Sequence, residues 1–210
     1  MDTAPLWCQE HRSKLKLHPS YSNLKSILFT GAGNAGGCTF AAAHFAVYLT
    51  TKAQKKILLL DFIINGAGLR RFFNYGDSPS PAEIFTTTSM QNSQIFQALK
   101  KNLVVVTNDE EPLEEAGTWF TSENFDQFLE KAQNQFDYIL VDSAPFALSY
   151  ETKLLSAKAD AVILVFESGQ TRRSVAIKIK KDLEECGANI MGAIINKRKY
   201  YIPEWLYKRL

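Results

Sequence analysis

Residues 26–47 read SILFT-GAGNAGGCT-FAAAHFAV: an apolar run of strand length, a turn dense in glycine, and an apolar stretch with helical composition. A strand that enters a helix through such a turn constrains the fold more than anything else in the chain. Gly31, Gly33, Gly36 and Gly37 let the backbone fold tightly and turn its N–H groups inward, towards the start of the helix. That is the layout of a phosphate-binding loop, where backbone donors and a helix N-terminus cradle an anion. Where such a loop carries G-K-[ST], this chain has Gly37-Cys38-Thr39. The cradle is retained, and a thiol replaces the ammonium that grips the outer phosphates.

The rest of the chain repeats the alternation. Lys56–Asp61 (KILLLD), Asn102–Thr107 (NLVVVT), Tyr138–Asp142 (YILVD), Ala161–Phe166 (AVILVF) and Asn189–Asn196 (NIMGAIIN) are short, nearly continuous apolar runs. Strands covered on both faces have this pattern. Helices are expected from Gly37 to about Thr51, from a cap at Thr121 or Ser122 to about Gln135, and over Thr171–Cys186. The last would bury Val175, Ile179, Leu183 and Cys186 and stop at Gly187. Short helical turns are expected over Leu69–Phe73, Pro81–Phe85 and Ser93–Leu99. The expected fold is therefore α/β, doubly wound, with a mostly parallel sheet. With 210 residues, 46% of them apolar, the chain can build one core. One domain is expected over residues 22–210, after a partly disordered N-terminal segment at 1–21.

A net charge of +2 gives no electrostatic case for a nucleic-acid partner. The charge gathers at the C-terminus, where Lys197, Arg198, Lys199, Lys208 and Arg209 face Glu204 alone. That segment reads as a solvated basic tail or as a docking surface for an acidic partner or an anionic membrane. Cys8, Cys38 and Cys186 are too scattered for a disulfide framework, and they share no metal-ligand spacing with His11, His18 or His44. No apolar run has signal-peptide or membrane-spanning length, so a cytoplasmic location is expected, with any membrane attachment through a partner.

Three residues stand where nucleotide chemistry requires oxygen. Thr39 follows the loop, where a hydroxyl meets magnesium; Asp61 ends the second strand; Asp142 ends YILVD, in the form of a Walker B aspartate. Open α/β sheets bind ligands at these strand ends. A second reading competes locally. Gly31-Ala32-Gly33-Asn34-Ala35-Gly36 is a literal G-x-G-x-x-G, and Asp61 could then hold a ribose. That dinucleotide oxidoreductase would bind NAD(H) without magnesium and would leave Thr39 and Asp142 without a role.

Four segments together resemble the cytoplasmic kinase domain of the bacterial tyrosine kinases that control capsule and exopolysaccharide assembly, relatives of the deviant-Walker partitioning ATPases. KSILFTGAGNAGGCTFAAAHFAVYL resembles their Walker A segment, KKILLLDFIINGAGLRRFF their second acidic motif and FDYILVDSAP their Walker B. ADAVILVFESGQTRRSVAIKIKKDLEECGANIMGAIINKR resembles their C-terminal third. The resemblance implies a P-loop NTPase fold. It implies ATP or ADP at Gly33, Asn34, Ala35, Gly36, Gly37, Cys38, Thr39 and Asn196, with magnesium on Thr39 and Asp142. In a working site Asp61 and Asp142 would be catalytic. The implied partners are a membrane-embedded chain-length regulator or an active kinase paralogue, at the inner membrane face, with homo-oligomers and no nucleic acid.

The departures from that pattern bear on mechanism. The family lysine falls at Cys38, its proline-glycine-glutamate run at Asn34-Ala35-Gly36, and its second aspartate at Ile63. The arginine-rich stretch becomes Asn65-Gly66-Ala67, Glu151 stands where an aspartate is expected, and the tyrosine-rich tail is reduced to Tyr200, Tyr201 and Tyr207. A hydrogen bond to a charged group is worth ~1.5–3 kcal/mol, so losing the lysine weakens nucleotide binding roughly ten- to a few-hundredfold. A lost transition-state donor costs more, about 10²–10³ in rate. Two functions follow: a degenerate regulator or scaffold with weak or lost nucleotide binding, or an atypical ATP-dependent tyrosine kinase using Thr39, Asp61 and Asp142. Arg70 and Arg71 are the nearest cations in sequence that could replace the missing charge. Cys38 either fills the vacated space or, at a helix N-terminus, has a lowered thiol pKa and redox reactivity.

Overall fold

β-Branched and leucine-rich runs of five to seven residues, with turns between them, leave the chain one way to bury both faces of each strand: side by side, between helices. The computed structural model describes residues 24–33, 36–63, 68–74, 98–100, 102–107 and 123–198. In chain order these form β1 (Ser26–Gly31), α1 (Cys38–Thr51), β2 (Ile57–Asp61), α2 (Gly68–Phe73), β3 (Ala98–Lys100), β4 (Leu103–Val106) and α3 (Glu123–Gln135). Then follow β5 (Tyr138–Asp142), α4 (Tyr150–Lys158), β6 (Ala161–Glu167), α5 (Arg173–Glu185) and β7 (Ile190–Asn196). The described strands make one sheet in the order β3-β4-β2-β5-β1-β6-β7. All neighbours pair parallel except β3, which runs antiparallel to β4. The expected doubly wound, mostly parallel fold is therefore present.

Alternate residues of each strand serve opposite faces. Ile27, Phe29, Ile57 and Leu59 join the core that α1 and α2 cover, and Leu28, Leu58 and Leu60 join the one covered by α3, α4 and α5. Ala41, Ala42, Ala43 and Ala46 bring α1 close to the strands, because an alanine face puts little between helix and sheet. The result holds the N-terminal end of α1 against the carboxyl end of β1.

The opposite end of the sheet is tied by one carboxylate. Asp160 Oδ2 accepts hydrogen bonds from the N–H groups of Lys25 (2.9 Å) and Ser26 (2.8 Å) and from the Ser26 hydroxyl (2.9 Å). The Asp160 N–H donates back to Ser26 Oγ. The start of β1 is thereby fixed to the start of β6.

Some expectations are corrected. α5 buries Ile179 and Leu183, but Val175 is 41% exposed and Cys186 lies on the surface, so the apolar stripe is narrower than the spacing suggests. Ala98 and Leu99, expected in a helical turn, belong to β3, whose pairing with β4 overrides local preference. α4 was not anticipated. Its Ser149 cap accepts a hydrogen bond from the Thr152 N–H, but it buries one large apolar side chain, Leu155, beside Thr152 and Ser156. The expected turn at Pro81–Phe85, the caps at Thr121 or Ser122 and the segment 1–21 lie outside the described residues.

Candidate functional site

The carboxyl ends of the central strands converge on two aspartates. Register sets Asp142 of β5 beside Asp61 of β2 on one side and beside Phe29 of β1 on the other. Both carboxylates are 0% exposed. Asp61 Oδ1 accepts the Ile63 N–H at 2.9 Å. Neither oxygen of Asp142 has a hydrogen-bond partner of good geometry among the described residues. The Thr39 hydroxyl and the Cys38 thiol face it closely enough to favour its ionised form. Burial outweighs both and pushes the Asp142 carboxyl up to about 7.

Cys38 opens α1, immediately after Gly37. Its thiol is pushed well above the ordinary range, first by burial and then by the charge and hydrogen bonding of Asp142, with Asp61 adding to the effect. A backbone hydrogen bond from Ser143 opposes this and loses. Of the two readings of Cys38, the lowered thiol pKa at the helix N-terminus is thus reversed: burial raises it, and the nearby carboxylates add to that. In the lysine's position stands a neutral group that faces negative charge.

The loop is held from the far side of the sheet. Gly37 adopts φ +81°, the left-handed region that glycine enters without strain, and an added Cβ there would lie 2.2 Å from Asn196 Nδ2. Asn196, the last residue of β7, donates through Nδ2 to the Gly36 carbonyl at 3.1 Å, and Gly36 N–H donates to the Gly33 carbonyl at 3.2 Å. The expected ligand residue Asn196 therefore also shapes the loop. Gly33, Gly36, Gly37, Cys38, Thr39 and Asn196 are gathered at one sheet edge with Asp61 and Asp142; Asn34 and Ala35 lie outside the described residues, as do Tyr200, Tyr201 and Tyr207. α2 begins against Thr39, where a Cβ on Gly68 would meet Thr39 Cγ2 at 2.8 Å. On that helix Arg70 is half-buried and Arg71 exposed.

Beside the loop opens a cleft of about 450 Å³ between Gly33 and Gly36 on one wall and Thr171, Arg172 and Val175 on the other. Below it, polar groups that sequence inspection passed over fix the turn after Asp142. Thr30 and Thr152 hydroxyls both donate to the Ala144 carbonyl, and Ser143 Oγ donates to the Phe29 carbonyl. A threonine inside the apolar run of β1 was the available signal. His44 packs against Phe40 and Phe72 with Nδ1 near the Phe40 carbonyl, a satisfied helix residue.

The residues fit a magnesium ion in part. Asp142 offers two unsatisfied carboxylate oxygens near the Thr39 hydroxyl, the hard donors that magnesium takes together with water and phosphate. Among the described residues no three His, Cys, Asp or Glu side chains form a closed metal cage, so such an ion would draw most of its shell from water or ligand. Asp142 and Thr39 are the residues that would orient such an ion. The site offers no described positive charge at the loop position that normally supplies one.

No protein-family profile matches the chain. It is 26% identical over 176 residues to the tyrosine-protein kinase YwqD of Bacillus subtilis, covering 84% of this chain and 73% of that protein. It is 27% identical over 179 residues to the tyrosine-protein kinase CpsD of Streptococcus pneumoniae, covering 85% and 78%. Among solved structures, the kinase domain of Escherichia coli tyrosine kinase ETK superposes with a TM-score of 0.72 at 20% identity, over 85% of this chain and 71% of that one. MinD cell division protein of Aquifex aeolicus superposes with a TM-score of 0.65 at 19% identity, over 88% and 72%. In sequence the chain is a relative of the bacterial tyrosine-protein kinases, and its fold is that of the P-loop ATPases.

Proposed function

We propose that this chain is a degenerate tyrosine-kinase-like P-loop protein that acts as a regulator or scaffold in bacterial capsule or exopolysaccharide assembly. In this reading its nucleotide affinity is weak or lost. The observation that carries the proposal is the neutral Cys38 thiol facing Asp142 where the loop lysine would stand. A polyphosphate entering here meets the Asp61 and Asp142 carboxyls and no lysine ammonium at the loop position. Backbone N–H groups of the loop still favour an anion, which supports weak binding better than turnover. Its partners in this role are a membrane-embedded chain-length regulator or an active kinase paralogue, met at the cytoplasmic face of the membrane. No described helix is long and apolar enough to cross a membrane.

A second reading, an atypical ATP-dependent tyrosine kinase, is favoured by the survival of Thr39, Asp61 and Asp142 at one sheet edge. The dinucleotide reading is not favoured: Asp61 is fully buried and accepts the Ile63 N–H, which does not present it to a ribose. Calorimetric titration with MgATP of the wild type and of Cys38→Lys separates the first two. The regulator reading expects Cys38→Lys to bind about ten- to a few-hundredfold more tightly than the wild type. Micromolar wild-type binding, together with phosphate transfer to tyrosine that disappears in Asp142→Ala, would overturn it in favour of the kinase.

A further inference from the structure

The glycine loop lacks its own cation, and a cation from the far end of the chain lies across the cleft from it. Gly31 and Gly36 lean on the Val165 carbonyl of β6, where an added Cβ would come within 2.9 and 3.3 Å. The loop is thus packed on the strand that leads to the opposite wall. Past β6 the chain forms a built turn. Glu167 N–H donates to Thr171 Oγ1 at 3.2 Å, and the Glu167 carbonyl accepts from the N–H groups of Gln170 (3.3 Å) and Thr171 (3.0 Å). Gly169 enters the left-handed region within it, at φ +77°. This turn delivers Arg172 to the cleft wall across from Gly33 and Gly36.

Glu167, on the same wall, is matched by Lys197 at 3.4 Å. The Arg172 side chain has no ion pair or hydrogen bond among the described residues, so the cleft keeps a positive charge to offer. Arg173 follows it at the start of α5, and the first turn of that helix holds no acidic residue. Cations are disfavoured at this end of a helix, and an anion in the cleft offsets that. Arg70 and Arg71, the nearest cations to the loop in sequence, do not line the cleft.

We propose that Arg172 supplies the positive charge missing at Cys38, so that a polyphosphate is held between the loop N–H groups and the Arg172 guanidinium. The planar fork of an arginine can take two phosphate oxygens at once. Asp61 and Asp142 do not line the cleft, so they do not compete with the phosphate for this cation. The proposal rests on the weak nucleotide binding of the proposed function and names the side chain responsible for it.

The test is calorimetric titration of the full chain with magnesium tripolyphosphate, without nucleotide, for the wild type, Arg172→Gln, Arg172→Lys and Arg173→Gln. Both arginines are exposed, so the variants keep the fold. The expected result is saturable wild-type binding that weakens about tenfold or more in Arg172→Gln, the loss of a charge-assisted contact. Arg172→Lys recovers part of that loss, because it restores the charge without the fork. Arg173→Gln stays within about twofold of the wild type, since a direct contact is local and a screened surface charge contributes little. Three results would each overturn the proposal: no saturable wild-type binding, no loss in Arg172→Gln, or equal losses in Arg172→Gln and Arg173→Gln. The comparison with Cys38→Lys stays separate. Micromolar MgATP binding with phosphate transfer sinks the regulator and leaves Arg172 in place, whereas an unchanged Arg172→Gln removes Arg172 and leaves the regulator.

Discussion

Two aspartates lie at opposite ends of the same sheet and are treated in opposite ways. Asp160, at the start of β6, accepts three hydrogen bonds through one oxygen and ties that strand to β1. Asp142, at the end of β5, is fully buried beside a second carboxylate, and its oxygens have no hydrogen bond of good geometry among the described residues. A group that only stabilises the fold has its polar atoms satisfied by the fold. A group that weakens it persists where something outside the chain completes it. The sheet is therefore closed at its amino end and chemically open at its carboxyl end, beneath the glycine loop.

This contrast predicts opposite signs on mutation. The largest expected effect is at the satisfied end. Asp160→Ala removes three hydrogen bonds to a carboxylate and should lose about 3 kcal/mol in urea denaturation, since such bonds contribute ~1.5–3 kcal/mol each and do not add fully. A loss under about 1 kcal/mol would mean that this end is not held as described. Next, Gly37→Ala should cost about 2 kcal/mol, from a positive φ and from collision with the Asn196 amide. Adding Asn196→Ala to that variant should recover the collision and leave the backbone cost, a partial rescue visible in the same denaturation curves.

The smallest effect has the opposite sign. Asp142→Asn should raise stability by about 1–2 kcal/mol near pH 8, measured by thermal melts across pH. The folded protein holds the Asp142 proton up to about 7, whereas an unfolded aspartate releases it near 3.8. Between those values the folded state binds more protons, so rising pH lowers stability. The favourable contribution of the neutral carboxyl is complete below about pH 4 and is lost as pH rises towards 7. The asparagine variant should therefore match the wild type in acid and exceed it above neutrality. A wild type more stable than Asp142→Asn at pH 8 would erase the contrast between the two ends.

Much of this was legible in the chain. β2, β5 and β6 announce themselves because strands buried on both faces are apolar without interruption, and Asp61 and Asp142 mark their ends. α4 was not legible, since burying Thr152 and Ser156 around one leucine leaves no apolar period to read. The spacing predicts a wider buried face on α5 than it has: Val175 and Cys186 fit the period, yet both are exposed. In the site, the residue types were readable and their mutual effects were not. The direction of the Cys38 shift is set first by burial and then by carboxylates that come from two strands distant in sequence, and the clasp on Gly36 comes from Asn196, separated by 160 positions.

The strand order has a consequence for how the protein comes to exist. β1 is synthesised early, yet its two neighbours are β5 and β6, and Ser26 bonds to Asp160 across a separation of 134 residues. A nascent chain that stops short of residue 161 leaves the backbone N–H and C=O groups on one flank of β1 unpaired. Long-range parallel pairing is slow, and an unpaired apolar strand is prone to misassociation while it waits. The glycine loop hangs from this strand, so the loop is written first and shaped last; chains truncated before β6 should have no cradle at all.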